Sequence, residues 1–263
     1  RTSVREAKSR LMSTLEHITF QDSKESDVKR ENANIDGDTA MGTMLKYGSE
    51  SAKDYYLTHL LPKDIADAHI NGDIHIHDLD FYTLTLTCCQ IDVLKLFHGG
   101  FSTGHGFLRE PNDIRSYAAL ACIAIQADQN DMHGGQAIPN FDFAMAEGVK
   151  KTYNKIFRNN IIKFIDFIDG KNLESELKPY FKELYKSEIE PRYHDYDSQN
   201  KVFGLLEEKY PELSWEKIKP FVIKDSEKEV EEQTHQAMEA LVHNLNTMHS
   251  RAGAQVPFSS LNY

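Results

Sequence analysis

The chain has 263 residues and a mass of 30.1 kDa, enough for one large or two small domains with a buried core. Hydrophobic residues make up 40% and charged residues 27%, ordinary globular usage that excludes collagenous, low-complexity and wholly disordered classes. Forty-one acidic against 30 basic side chains leave a net charge of −11, which disfavours a nucleic-acid polymer as partner and leaves room for local phosphate pockets. The apolar stretch Ile161 to Ile168 is broken by Lys163 and Asp166, far short of the ~20 apolar residues a membrane span needs. Cys88, Cys89 and Cys122 are too few and too clustered for a disulfide scaffold, so a reducing cytoplasm is the expected setting.

Along the chain, Val4, Leu11, Met12, Leu15 and Ile18 have the spacing of an amphipathic helix over residues 1–20. A charged connector at 21–31 and a turn-rich loop from Asn32 to Asp38 follow, then a helical pattern from Gly42 to Leu61. Pro62 ends that helix or starts the next, which runs from Asp64 to Asn71 and stops at Gly72. The period then changes, with His75 and His77 placed at a strand end and residues 83–93 alternating as a strand. Strict alternation puts Leu84, Leu86 and Cys88 on one face and Thr85, Thr87, Cys89 and Ile91 on the other.

Gly99 to Gly106 reads as a flexible loop, Pro111 and Asp113 introduce an alanine-rich helix through Gln126, and Met132 to Gln136 reads as a second glycine loop. A helix is expected from Phe141 to Gly170. Residues 171–232 are rich in charge and read as a solvated helical outer layer. The last helix runs from Glu227 to His249 on an apolar stripe that includes Val230, Ala237, Leu241 and Leu245. A turn follows, and Val256 to Leu261 looks like the start of a strand. The chain opens on Arg1 and stops within that run, so it reads as a segment of a longer protein.

Four constellations carry possible chemistry. His75 and His77, two apart, could face one side and bind a metal or touch a substrate, or be structural partners of Asp78 and Asp80. Asn32 to Thr43 begins like a calcium loop, yet Thr43 stands where a bidentate glutamate is required, so that reading fails and an Asn/Asp helix cap remains. Cys88 and Cys89 point to opposite faces of a strand, so only one can enter a common site. Their spacing is not C-x-x-C, and they could equally be small buried hydrophobes, as Cys122 is in its alanine-rich helix. The glycine loops and the Ser250 to Ser260 segment could bring backbone donors to phosphates, but match no nucleotide-binding fingerprint and equally suit tight turns.

Read together and in order, Glu31-Asn32-Ala33-Asn34, Gly72 to Asp80, Thr87-Cys88-Cys89-Gln90-Ile91-Asp92, Gly99-Gly100-Phe101, His133-Gly134-Gly135-Gln136 and Gln255-Val256-Pro257-Phe258 resemble one family. It is the anaerobic (class III) ribonucleoside-triphosphate reductases, glycyl-radical enzymes, and the resemblance covers the N-terminal part of their catalytic domain from about Ala7 to Tyr263. It implies an α/β fold, part of a ten-stranded barrel of the pyruvate formate-lyase and ribonucleotide reductase type. It implies ribonucleoside triphosphates as substrates, a glycyl radical that makes a thiyl on a loop cysteine, and formate as reductant. A radical-SAM iron-sulfur activating enzyme and a second copy of the chain are the implied partners, and ATP or dNTPs the implied effectors.

The family's first-strand cysteine, which protonates and expels the 2′-hydroxyl, matches Cys88, while Cys89 would pack outward. Ser259, Ser260, His75 and His77 are implied substrate contacts, and Arg109 and Arg115 are cations for an effector's phosphates. No metal is expected in this segment. No cysteine follows Cys122, so the thiyl-bearing cysteine, the C-terminal glycine motif with its zinc site and the upstream ATP-cone are expected outside this chain. The segment alone is therefore expected to be inactive, and, as a cut barrel with open strand edges, poorly soluble. Two rival readings stand beside this one: a metal-dependent hydrolase built on His75 and His77, and a non-catalytic nucleotide-binding, dimerising segment.

Overall fold

The structure is a computed structural model that describes residues 11–16, 39–82, 85–104, 106–248 and 257–262. The expected connector at 21–31, the Asn/Asp loop before Asp38 and the Ser250 to Gln255 turn lie outside those residues. Of the expected first helix, 11–16 is described and helical. The chain divides into two compact units.

The first unit comprises residues 1–91, 124–139 and 245–261. Helix α1 (Ala40–Tyr55) begins where the Thr39 hydroxyl accepts from the Gly42 N–H at 2.9 Å, taking up a donor the first turn cannot satisfy itself. The expected run to Leu61 is interrupted: Tyr56–Leu60 forms a π-helical turn, and Pro62, lacking an N–H, starts α2 (Lys63–Asn71). Gly72 then takes φ 82°, the left-handed conformation that ends a helix at little cost only for glycine. His75 and His77 sit in irregular backbone before a 3₁₀ turn at Leu79–Phe81, not at a strand end.

Strands β1 (Leu86–Gln90), β4 (Met132–Ile138) and β5 (Ser259–Leu261) form a parallel sheet in the order β1-β4-β5. The expected strand over 83–93 is shorter because Asp92 caps a helix, accepting from the Lys95 N–H at 3.1 Å. The expected glycine loop at Met132 to Gln136 is instead the central strand. Its glycines are there because neighbouring chain comes close: a Cβ on Gly134 would stand 2.8 Å from Cys88 Sγ, and one on Gly135 would stand 3.0 Å from the Phe258 ring.

The second unit holds residues 92–123 and 140–244. It contains α3 (Val93–Phe97), a short hairpin of β2 (Phe101–Ser102) and β3 (Phe107–Leu108), and the first part of α4 (Ile114–Asp131). Helices α5 (Phe141–Asp169), α6 (Glu174–Lys186) and α7 (Tyr196–Lys209) follow, with most of α8 (Trp215–Thr247). Gly170 closes α5 in the left-handed conformation, where the sequence places its end. The stretch 171–232 has, besides its charged face, a buried one: Leu177, Phe181, Val202, Phe203, Leu206, Ile218 and Val222 pack with Tyr153, Phe157, Ile161 and Ile165 of α5. Composition alone registered only the charged side. The last helix begins at Trp215, 12 residues before the expected Glu227, because the buried Trp215 and Ile218 extend its apolar stripe N-terminally past Pro220.

A thiol-bearing cavity in the first unit

Cys88 lies at a break in the ladder. Leu86 and Thr87 pair with Met132 and His133, but Cys89 pairs with Gln136, so the register shifts at residue 88. Cys88 takes φ 36°, a left-handed conformation that is uncommon and costly for a residue with a side chain. Gly134 and Gly135 of β4 stand opposite Cys88 alone, so this is a β-bulge whose extra residue lies on β4, and the left-handed backbone at Cys88 re-aims the thiol across from it. It replaces the expected strict alternation. The separation of the two cysteines survives, but the bulge brings it about.

The exposed Cys88 lines a cavity of about 690 Å³. Gly134, Gly135 and Phe258 complete the sheet side, and His69, His75, His77, Asp78, Asp80, Glu50, Lys53 and Asp54 face it from the helical side. The imidazoles form a chain: His69 and His75 centroids are 5.7 Å apart, and His75 and His77 5.8 Å. The Ile76 N–H donates to His69 Nδ1 at 3.1 Å, so neutral His69 carries its proton on Nε2. Lys53 is ion-paired with Glu50 at 3.0 Å, and Ser49 Oγ donates to Asp80 Oδ2 at 2.7 Å. Carboxylates thus outnumber cations around the cavity, a lining that suits the hydroxyls of a polar ligand next to a thiol.

Sequence reading left in a loop one residue, His133, that the structure sets behind the wall of this cavity, against Asp78 and Phe81. His133 is buried on β4, stacks on Phe81 with centroids 4.0 Å apart, and places Nε2 3.3 Å from Asp78 Oδ1. It thereby fixes the turn that carries His75 and His77. The sequence signal was its place in the His133-Gly134-Gly135-Gln136 string, which says nothing of a partner 55 positions away.

The other expected site residues fall elsewhere. Ser259 pairs with Gln136 and Ser260 with Ala137 on β5, and that segment reaches the cavity through Phe258. Arg109 and Arg115 are exposed in the second unit, where Arg115 donates to Gln236 at 2.9 Å. Cys122 is buried, and Cys89 is half-buried with its thiol on Asp128 at 2.7 Å. Among the described residues no group of three or more His, Cys, Asp or Glu is arranged to hold a metal ion, which leaves the hydrolase reading of His75 and His77 without a ligand set. No helix among them is long and apolar enough to cross a membrane.

A parallel sheet that presents an exposed cysteine opposite a bulged glycine pair, at the wall of a cavity, makes this an α/β protein with a thiol in its candidate site. Its family is given by similarity. The profile of the anaerobic ribonucleoside-triphosphate reductases matches residues 31–263, and the chain belongs to that family. Three curated relatives bear the same name, anaerobic ribonucleoside-triphosphate reductase. The protein of Salmonella typhimurium is 31% identical over 153 residues, 57% of this chain and 21% of its own length. That of Escherichia coli is 35% identical over 106 residues, 40% of this chain and 15% of its own. That of enterobacteria phage T4 is 28% identical over 131 residues, 49% of this chain and 22% of its own. The chain therefore spans only about a fifth of the length of these relatives.

Proposed function

We propose that the protein to which this chain belongs reduces ribonucleoside triphosphates to 2′-deoxyribonucleotides under anaerobic conditions, with Cys88 as the thiol that meets the substrate. The observation that carries the reading is the exposed Cys88, left-handed and opposite the Gly134-Gly135 bulge, at the wall of a cavity that His75 and His77 also line. In this role the Cys88 S–H gives its proton to the 2′-oxygen as the C–O bond breaks, and the oxygen leaves as water. A thiol suits this step because its one S–H can be given up either as a proton, leaving a thiolate, or as a hydrogen atom, leaving a thiyl. His75 and His77 border the same cavity and supply donors to substrate oxygens.

The finer parts of the reading rest on family membership. They are a ten-stranded barrel of which β1, β4 and β5 form a portion, a glycyl radical and loop thiyl supplied from beyond this segment, and formate as reductant. They also include a structural zinc outside the segment, a radical-SAM iron-sulfur activating enzyme, a homodimer in the cytoplasm, and ATP or dNTP effectors held in part by Arg109 and Arg115.

The test is Cys88→Ala in the full-length, activated enzyme. Deoxynucleotide formation should fall at least ~100-fold, as for loss of a proton donor in the reacting step, with nucleotide binding retained. Undiminished turnover overturns the assignment. For the effector site, Arg109→Ala with Arg115→Ala should weaken dNTP binding about tenfold by equilibrium binding, and unchanged affinity removes those residues from the site.

A further inference from the structure

We infer that Asp128 selects which of the two adjacent cysteines is chemically available, holding Cys89 inert so that Cys88 alone serves the cavity. The inference rests on the reading of Cys88 given above and adds a positioning residue to it.

Asp128 stands 39 positions from Cys89, near the C-terminal end of α4, and its Oδ2 accepts the Cys89 thiol at 2.7 Å. Opposite the two glycines of the β4 bulge Cys88 has no ladder partner of its own, while Cys89 resumes the ladder opposite Gln136. Cys88 lines the cavity and Cys89 does not. A carboxylate that accepts from a thiol stabilises the S–H form and opposes formation of a thiolate beside it. Burial, the hydrogen bond to Asp128, and the charges of Asp128 and Cys88 together push the Cys89 thiol up to about 12. Two vicinal thiols of equal reactivity would compete for the same proton and hydrogen-atom transfers. The Asp128 contact removes one of them from that competition, and it also pins the strand just past the bulge, where a slip of one residue would exchange the two.

Alkylation tests this without turnover. The intact protein is treated with iodoacetamide, in which a thiolate sulfur displaces iodide from carbon, and modification of each cysteine is followed by peptide mass spectrometry across pH. Cys88 should react first and Cys89 at least ~100-fold more slowly at pH 8, with a midpoint for Cys89 well above that of an ordinary thiol. Asp128→Asn, which keeps an acceptor but removes the charge, should speed Cys89 about tenfold or more and lower its midpoint. Asp128→Glu, which keeps the charge, should leave it slow.

Cys122, buried six residues earlier on the same helix, reports folding, since it stays protected unless α4 comes away. Equal rates for Cys88 and Cys89 in the unmodified protein overturn the inference, as does an unchanged Cys89 rate in Asp128→Asn with Cys122 protected. Should Asp128→Asn also expose Cys122, the unmodified protein and Asp128→Glu decide: fast Cys89 in either overturns it, slow Cys89 in both sustains it. Failure of the Cys88 reading itself would instead appear as undiminished turnover in Cys88→Ala, with the alkylation pattern intact.

Discussion

Gly134 sets the position of the thiol as firmly as Cys88 does. It takes φ 107°, and a Cβ there would lie 2.8 Å from Cys88 Sγ and 3.3 Å from Cys88 N. Gly134→Ala therefore combines backbone strain of about 1–3 kcal/mol with a collision that only movement of the thiol relieves. Displacing a reacting atom by about 1 Å commonly costs ~100-fold in rate, so turnover should fall by that order while dNTP affinity holds. Steady-state turnover beside equilibrium binding checks this, and wild-type turnover in Gly134→Ala would show that the thiol needs no such clearance. The role proposed for Cys88 is legible in the sequence because its neighbours form a recognisable string. The bulge that aims it is not, since strict alternation over 83–93 is the simplest reading of those residues and a register shift is decided by the partner strand. His133 shows the same limit: its stacking on Phe81 and its contact with Asp78 join segments that only the fold brings together.

At the scale of an element, the start of α4 shows how local chemistry places a helix. The Ser116 N–H donates to Asp113 Oδ1 at 2.9 Å and the Asp113 N–H donates to Ser116 Oγ at 3.2 Å, so the two residues cap each other. Burial raises the Asp113 carboxyl, but the hydrogen bonds from Ser116 and the charges of Lys155 and Arg115 outweigh it and hold the group below its usual 3.8. A group whose folded pKa is depressed contributes stability above its unfolded value and loses it as pH falls through the folded one. Asp113→Ala should cost about 1 kcal/mol at pH 7, and the difference from wild type should shrink below about pH 4. Denaturant unfolding at pH 7 and pH 3 measures this, and a penalty independent of pH would rule out the charge as its source. Asp113 was recognisable in the sequence as the start of this helix because capping is local. The helix runs past Gln126 to Asp131 and gives way directly to β4, and the sequence reading ended it at Gln126 because the polar run Ala127 to Asp131 carries no apolar periodicity.

Over the whole molecule, two units divide the work, one carrying the thiol and its cavity and the other a large aromatic and aliphatic core. Phe157 is fully buried in that core, its ring 5.2 Å from that of Phe203. Phe157→Ala should destabilise the second unit by about 3–5 kcal/mol through lost burial and the cavity left behind. Hydrogen exchange of the α5 and α7 amides would register it, and protection equal to wild type would place Phe157 outside the stabilising core. The sequence by itself determined family membership and most helix positions and singled out Cys88 as the candidate thiol, because periodicity, caps and motif order are properties of neighbours along the chain. Tertiary structure alone decided that Met132 to Ile138 is the central strand, that 171–232 has a buried face and that Cys89 is held by Asp128. Each of these depends on which distant atoms occupy the space beside a residue. A glycine pair reads as a turn until a cysteine is found 2.8 Å from where its side chain would be.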